Sequence, residues 1–293
     1  MRPNKLRHLL QEGKPSISTH VHSTWPSIIE AVGHSGLYDY VEFVAEYGPY
    51  DLHDLDNLCR AAELYDLGMM IKVDYEPHRF VAQRAIGSGF GSVLFADCHT
   101  VEEARDCILS VRPDTPEDGG FHGVGTRRFA YMGYGGTPDY VQALRDVVVM
   151  LMIEKKGAVD QLEEILSLPG LDMIQWGGAD YSMSVGKAGQ RRDPVIKATE
   201  KRVIETALKL GFPLSRGGAR LAPAALTNDK PTVKSSGQKL SMRGLLHVLW
   251  DRAELTHWHP KMAGKRSWFV VRRALLEAAA SCRAKQEALP HVL

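Results

Sequence analysis

The sequence Val147-Val-Val-Met-Leu-Met-Ile-Glu154 is an apolar run that ends abruptly in a carboxylate. A short run of this kind is typical of a strand buried on both faces, as in a parallel sheet covered by helices. The next such run, Leu171–Trp176, continues through Gly177-Gly-Ala into Asp180. Because the carboxyl ends of parallel barrel strands share one open face, we expect both acids at that face.

The rest of the chain repeats the alternation of short apolar runs and longer helical patterns, which is typical of βα units. The predicted strands are Ser16–Val21, Tyr40–Val44, Met69–Val73, Gly91–Ala96, Val147–Ile153, Leu171–Trp176, Phe212–Ser215 and Leu245–Trp250. The predicted helices include Leu52–Tyr65, Glu76–Ile86, Val101–Val111, Pro138–Arg145, Ala158–Leu166 and Pro194–Leu210. This order predicts a single (β/α)₈ TIM barrel over residues 1–293, a common length for one such domain.

Two long segments interrupt this rhythm, residues 113–137 after the fourth strand and residues 216–241 after the seventh. Long loops that follow barrel strands lie on the face where substrate is handled. Each segment is therefore either a substrate-side element or a solvated excursion. The first contains Arg127 and Arg128, which could pair with a distal carboxylate of a substrate or could be solvated.

The charge balance excludes several classes of partner. The chain has 36 Lys plus Arg against 35 Asp plus Glu, a net charge of +1, so neither nucleic acid nor a membrane surface is expected to bind. The apolar runs are too short to span a bilayer, and the N-terminus does not resemble a signal peptide, so we expect a cytoplasmic protein. The cysteines lack C-x-x-C spacing and are expected to be reduced thiols: Cys59, Cys98, Cys107 and Cys282.

Glu154 and Asp180 are candidate ligands of a divalent cation. Mg²⁺ and Mn²⁺ take a few protein oxygens and complete their octahedron with other oxygen ligands. Gly178 and Ala179 precede Asp180, and small residues allow backbone N–H groups to approach an anion closely. From the pattern alone, two solvated loop acids beside a tight strand-to-helix turn remain the alternative.

A set of short motifs follows one order along the chain: Asn4-Lys-Leu6, Gly13-Lys-Pro15, Asp39-Tyr-Val-Glu-Phe43 with Glu46, Val101-Glu-Glu-Ala-Arg105, Gly123-Val-Gly125, Ile153-Glu154, and Gly177-Gly-Ala-Asp-Tyr-Ser-Met-Ser-Val-Gly186 with Gly189. In this order and spacing they resemble the HpcH/HpaI family of metal-dependent pyruvate aldolases, also described as the aldolase/citrate lyase family. The likeness covers about Asn4 to Gly211 and weakens afterwards, although Gly244–Asp251 resembles the eighth strand of the family.

The resemblance implies a TIM-barrel lyase, commonly a homo-hexamer, in which Glu154 and Asp180 hold Mg²⁺ or Mn²⁺. It also implies that backbone amides near Gly178 and Ala179 grip the carboxylate of the substrate. The implied reaction is aldol cleavage of a 4-hydroxy-2-oxo acid to pyruvate, or a related 2-oxo acid, plus an aldehyde through a metal-stabilised enolate. The alternatives are a decarboxylase, hydratase or acyl-CoA lyase with the same site, or a non-catalytic barrel, against which the acid pair argues.

Two departures from the family concern the reaction. Tyr47 stands where the family carries the His that serves as base, and a phenol with a pKa of about 10 is a poor base at neutral pH. Lys72 stands where the family carries Arg, which keeps the charge but loses the bidentate fork. Lys72 could still neutralise the keto or enolate oxygen. Alternatively, it could form a Schiff base, although the acidic pair argues against that chemistry.

Other side chains could compensate for the missing base. His20 and His22 are two residues apart on the first strand and so share one face. They could act as base, add a metal ligand, or form a pair without catalytic work. Asp97 and His99 could contact substrate or cap the next helix, and we interpret His257-Trp-His259-Pro260 as a loop or subunit contact rather than a metal motif.

Overall fold

The computed structural model describes residues 2–125 and 132–215, and the backbone of three short strands at 220–221, 232–235 and 238–241. The predicted eighth strand Leu245–Trp250, Arg127, Arg128, Cys282 and the segment His257–Pro260 lie outside the described residues. Residues 113–125 and 132–137 of the first long loop are described, with helix α6 beginning at its end.

The core of the structure is one sheet with the strand order β7-β6-β5-β4-β3-β2-β1-β8. Its strands are β1 (Ile17–Val21), β2 (Tyr40–Val44), β3 (Gly68–Val73), β4 (Ser92–Phe95), β5 (Val148–Ile153), β6 (Met173–Trp176), β7 (Leu214–Ser215) and β8 (Arg220–Leu221). Strands β1 to β7 pair in parallel with their sequence neighbours, whereas β8 is antiparallel to β1. A separate hairpin contains β9 (Thr232–Ser235) and β10 (Gln238–Ser241). The seven predicted strands that fall within the described part of the chain are confirmed.

The helices lie between the strands, as the alternation predicts. They are α1 (Lys5–Gln11), α2 (Pro26–His34), α3 (Leu52–Glu63), α4 (His78–Ser88), α5 (Val101–Val111), α6 (Pro138–Arg145), α7 (Lys156–Asp160), α8 (Leu162–Leu166), α9 (Gly178–Ser184) and α10 (Pro194–Lys209). The helix predicted over Ala158–Leu166 is instead the two short helices α7 and α8, because the backbone at Gln161 leaves the helical conformation.

Local capping explains where several helices begin. Asp51 caps α3 and forms a reciprocal capping box with Asp54. The Thr100 hydroxyl accepts a hydrogen bond from the Glu103 N–H at the start of α5, so Asp97 and His99 do not supply this cap. Asp193 caps α10, whose first residue is Pro194.

Alternation along the strands separates two apolar layers. Every second side chain along a strand packs against the helices. These side chains include Phe43, Ile71, Phe95, Leu151 and Ile174. The others form a second cluster on the opposite face of the sheet, including Tyr40, Met70, Leu94, Met150 and Met173. Since successive strand residues point to opposite faces, Lys72 shares the face of Met70, and Glu154 continues the face of Met150 and Met152.

Helix α1 covers the amino-terminal ends of the strands. Arg7 donates to both carboxylate oxygens of Asp172, at 2.5 and 2.7 Å, and Arg112 approaches the same carboxylate at 3.4 Å. The Asn4 amide donates to the carbonyls of Gly91 and Asp146. These contacts hold the end of the sheet opposite to Glu154 and Asp180 closed.

Among the described residues no helix is long and apolar enough to cross a membrane. The described cysteines are free and buried, as expected: Cys59, Cys98 and Cys107.

Candidate active site

Glu154 and Asp180 lie after neighbouring strands, at the carboxyl-terminal face of the sheet. Glu154 directly follows β5 and is 2% exposed. Asp180 lies in the first turn of α9, and its side chain is 35% exposed. Residue 177 must lack a side chain here, because a Cβ atom on Gly177 would collide with the Glu154 carboxylate. One buried acid and one accessible acid thus lie at the same carboxyl-terminal face of the sheet, which we call the mouth.

Electrostatic interactions connect these two acids. The pKa of Glu154 is raised to about 7, mainly by burial and to a smaller extent by the Asp180 and Asp97 carboxylates. The N–H of Asp97 and the charge of Lys72 oppose this rise. The Asp97 N–H donates to Glu154 Oε1 at 3.0 Å. A buried carboxylate in this environment gains from a nearby cation, because a positive charge offsets its cost of desolvation.

Lys155, which follows Glu154, brings a further charge to the mouth. Its Nζ lies 2.5 Å from Asp97 Oδ1 and 3.8 Å from Asp180 Oδ1. Burial alone would lower the pKa of Lys155, but Asp97, Glu154 and Asp180 together raise it, so the side chain is an ammonium. Lys155 could not be predicted as a site residue, since a lysine directly after a strand-end acid is usually solvated.

Lys72 forms a buried ion pair with Glu46. The Lys72 side chain is 6% exposed, and its Nζ contacts Glu46 Oε2. Burial would lower the pKa of Lys72, yet the hydrogen bond and charge of Glu46, with contributions from Glu154 and Tyr47, raise it. The amine is therefore protonated, whereas a Schiff-base lysine must be partly neutral to attack a carbonyl.

Tyr47 links the Lys72–Glu46 pair to two histidines, His20 on β1 and His22 directly after it. Lys72 Nζ lies 5.0 Å from the centroid of the Tyr47 ring, and the centroid of the His22 ring lies 5.8 Å from it. The rings of His20 and His22 stack at 5.5 Å, as their shared face predicts. Gly48 permits this arrangement, because a Cβ atom there would lie 2.6 Å from the His22 carbonyl oxygen.

Burial raises the pKa of Tyr47 above its ordinary value, and the Glu46 and Asp180 carboxylates add to this effect while Lys72 opposes it. The phenol is therefore protonated at neutral pH and is no base in its resting form. It can donate a proton or relay one.

Glu154 and Asp180 supply the carboxylate oxygens that a divalent cation requires. Within the described ranges, no group of three or more His, Cys, Asp and Glu side chains is arranged to hold a metal ion. Two carboxylates are nevertheless sufficient for Mg²⁺ or Mn²⁺, which commonly take one or two protein carboxylates and fill the remaining positions with water and substrate. Buried Glu154 beside accessible Asp180 fits that requirement.

Comparison with known proteins identifies the family. The protein-family model described as "HpcH/HpaI aldolase/citrate lyase" matches residues 17–215, which is more than half of the chain. The protein therefore belongs to this family. A second model, described as "Protein of unknown function (DUF1173)", matches residues 187–293. The family resemblance inferred from the short motifs is thus confirmed.

Characterised relatives give the kind of reaction. The chain is 27% identical over 214 residues to a hydroxypyruvate/pyruvate aldolase of Paraburkholderia phytofirmans, covering 71% of this chain and 81% of that one. It is also 27% identical over 208 residues to a 2-keto-3-deoxy-L-rhamnonate aldolase of Escherichia coli, covering 70% and 74%. These relatives confirm the prediction of a lyase of the aldolase type acting on a small molecule.

A solved structure supports the fold. An HpcH/HpaI aldolase/citrate lyase family protein from Burkholderia cenocepacia is 25% identical, with a TM-score of 0.63 over 73% of this chain and 84% of that one. The prediction of a TIM-barrel-like α/β fold is confirmed.

Proposed function

We propose that this protein is a divalent-metal-dependent carbon–carbon lyase that cleaves a 4-hydroxy-2-oxo acid to pyruvate, or a related 2-oxo acid, plus an aldehyde. The observation that carries the proposal is the buried carboxylate of Glu154, set beside Asp180 at the mouth that also contains the Lys72–Glu46 pair. The names of the relatives favour this reaction over the decarboxylase, hydratase and acyl-CoA lyase alternatives.

In this proposal Glu154 and Asp180 hold Mg²⁺ or Mn²⁺. A divalent ion bound there supplies a Lewis acid that stabilises the negative charge of an enolate. Gly178 and Ala179 lie in the first turn of α9, where backbone N–H groups have no partner within the helix. These amides would donate hydrogen bonds to the carboxylate of the 2-oxo acid.

Lys72 would contribute a fixed positive charge near the keto oxygen. Its protonated state, held by Glu46, supports this role and argues against a Schiff base. Arg127 remains our candidate for a distal carboxylate of the substrate.

Cleavage also requires a proton to leave the hydroxyl group of the substrate. We assign this step to His22, with Tyr47, which contacts both the imidazole and the Lys72 ammonium, as the relay. His20, whose ring stacks against that of His22, would orient the His22 imidazole.

We expect His22→Asn to lower kcat by about a hundredfold with little change in KM, the usual effect of removing a general base. Steady-state release of pyruvate from a 4-hydroxy-2-oxo acid measures it. The matched control is His34→Asn, since His34 also contacts a tyrosine ring, that of Tyr65 at 6.4 Å, but lies on α2. If His22→Asn keeps full kcat while His20→Asn or Tyr47→Phe loses it, the residue whose substitution lowers kcat removes the proton instead of His22.

The reaction itself is tested with metal-stripped protein restored with Mg²⁺ or Mn²⁺. The panel contains 4-hydroxy-2-oxo acids of different length, oxaloacetate and acyl-CoA esters. We expect pyruvate and an aldehyde from the hydroxy acids, dependent on metal and abolished by a chelator. Turnover of oxaloacetate alone would assign a decarboxylase, and inertness toward the entire panel in metal-loaded protein would indicate a binding protein.

We further propose that the chain forms one barrel domain and is located in the cytoplasm. We also propose that it assembles as a homo-oligomer, commonly a hexamer in the family. The near-neutral charge of the chain supports a small-molecule partner rather than nucleic acid or a membrane.

A further inference from the structure

We propose that Asp97 and Lys155 set the affinity of the Glu154–Asp180 pair for a divalent cation, with Asp97 holding the Lys155 ammonium away from Asp180. Lys155 is then an internal competitor of the metal, and Asp97 is the residue that restrains it. This inference rests on the proposed function in one respect, that Glu154 and Asp180 are the cation ligands.

The geometry of Lys155 supports the competition. Its side chain is 15% exposed, and its Nζ lies between two carboxylates, 2.5 Å from Asp97 and 3.8 Å from Asp180. The first distance is a charge-assisted hydrogen bond, whereas the second is an ionic contact without one. A small rotation of the flexible lysine stem would exchange the two partners.

Asp97 is also connected to the other acid of the pair. Its N–H donates to Glu154 Oε1 at 3.0 Å, while its carboxylate binds Lys155. The residue has φ = 62°, a left-handed conformation that few residues other than Gly, Asn and Asp adopt readily. This backbone conformation allows one residue to orient Glu154 by its N–H and to restrain Lys155 by its side chain.

Two positive groups cannot share Asp180 without repulsion. A divalent ion on Asp180 and an ammonium on the same carboxylate would repel each other in a partly buried site, where solvent screens weakly. Metal binding is therefore favoured when Lys155 remains on Asp97. Loss of the Asp97 charge frees the ammonium for Asp180, and loss of the Lys155 charge removes the competitor.

The test is the dissociation constant of Mn²⁺, measured by electron paramagnetic resonance and by calorimetry on the full chain after removal of metal. We expect Lys155→Met to bind Mn²⁺ about tenfold more tightly and Asp97→Asn about tenfold more weakly, typical magnitudes for removing one charge near an ion. Asn tolerates the left-handed backbone and keeps the N–H that Glu154 accepts. In protein that already carries Lys155→Met, adding Asp97→Asn should change the Mn²⁺ dissociation constant by at most about twofold, because no ammonium remains to be released.

A neighbouring ion pair supplies the matched control. Lys156 Nζ binds Asp160 Oδ2 at 2.5 Å, but both side chains are more than half exposed. We expect Lys156→Met to shift the Mn²⁺ dissociation constant less than about twofold, since solvent screens an exposed charge.

The outcomes separate this inference from the proposed function. If Glu154→Gln abolishes Mn²⁺ binding but Lys155→Met behaves like Lys156→Met, the competitor role is wrong and the metal site stands. The competitor role is also wrong if Asp97→Asn weakens Mn²⁺ binding equally in protein with Lys155 and in protein with Lys155→Met. That result would indicate that the Asp97 carboxylate simply attracts the cation. If Glu154→Gln binds Mn²⁺ as tightly as the unaltered protein, both proposals fail.

Discussion

Glu154→Gln is expected to lower kcat/KM for cleavage of a 4-hydroxy-2-oxo acid by at least about a thousandfold, the scale of a Lewis acid that stabilises transition-state charge. The substitution preserves the shape of the side chain and one acceptor oxygen for the Asp97 N–H, but removes the negative charge that a cation requires. Initial rates of pyruvate release at several Mg²⁺ and Mn²⁺ concentrations measure the effect. Recovery of the lost activity at high metal concentration would indicate weakened metal binding rather than a lost chemical step.

The same variant should remain folded. Burial raises the pKa of Glu154, so the charged form is penalised in the metal-free protein and a neutral amide removes this cost. We therefore expect its Tm without metal to be equal to or above that of the unaltered protein. Glu164→Gln, on the exposed side of α8, makes the same chemical change away from the mouth and should retain full activity. Full activity in Glu154→Gln would remove Glu154 from the mechanism.

Lys72→Met is expected to lower both stability and activity. Removing one partner of a buried ion pair leaves the other charge uncompensated, which costs about 3 kcal/mol in the free energy of unfolding. The remaining Glu46 side chain is only 17% exposed. Denaturant unfolding measures the stability, and we expect kcat/KM to fall about a hundredfold because a positive charge near the developing oxyanion is lost.

The double variant Lys72→Met with Glu46→Gln distinguishes the two roles of Lys72. Neutralising Glu46 removes the stranded charge, so stability should recover while activity does not. The exposed pair of Lys201 and Glu205, 3.6 Å apart on α10, provides the control, and Lys201→Met should leave stability and activity unchanged. If activity returns together with stability, Lys72 has a structural role only.

The strands could be predicted because each is a short apolar run, which fully buried parallel strands require. The helices α1, α2 and α9 were not predicted, and α1 has only 7 residues. Helix α2 begins at Pro26 after an exposed Trp25 and has no side-chain cap. Helix α9 begins at Gly178, directly after Gly177, and these two glycines interrupt the helical pattern. The break between α7 and α8 depends on the conformation at Gln161, which carries no Gly or Pro signal.

Position along the strands predicted that Glu154 and Asp180 lie at one mouth, since that follows from the topology alone. Side-chain partners could not be predicted in the same way. The pairing of Lys72 with Glu46 depends on the register of β2 and β3, in which Val44 lies opposite Lys72. The pairing of Lys155 with Asp97 joins residues that follow β5 and β4, and neither residue belongs to a motif. Such contacts depend on which way each side chain turns.

The N-terminal helix has a consequence for the order in which the protein assembles during its synthesis. Arg7 is separated by 165 residues from Asp172, and Asn4 by 142 residues from Asp146. A ribosome that adds about 5–20 residues per second therefore makes these two partners many seconds after it has made α1. Until then Leu6, which is 2% exposed in the finished structure, lacks part of the apolar cluster that buries it. Helix α1 can therefore complete its native contacts only after the chain has been made as far as Asp172.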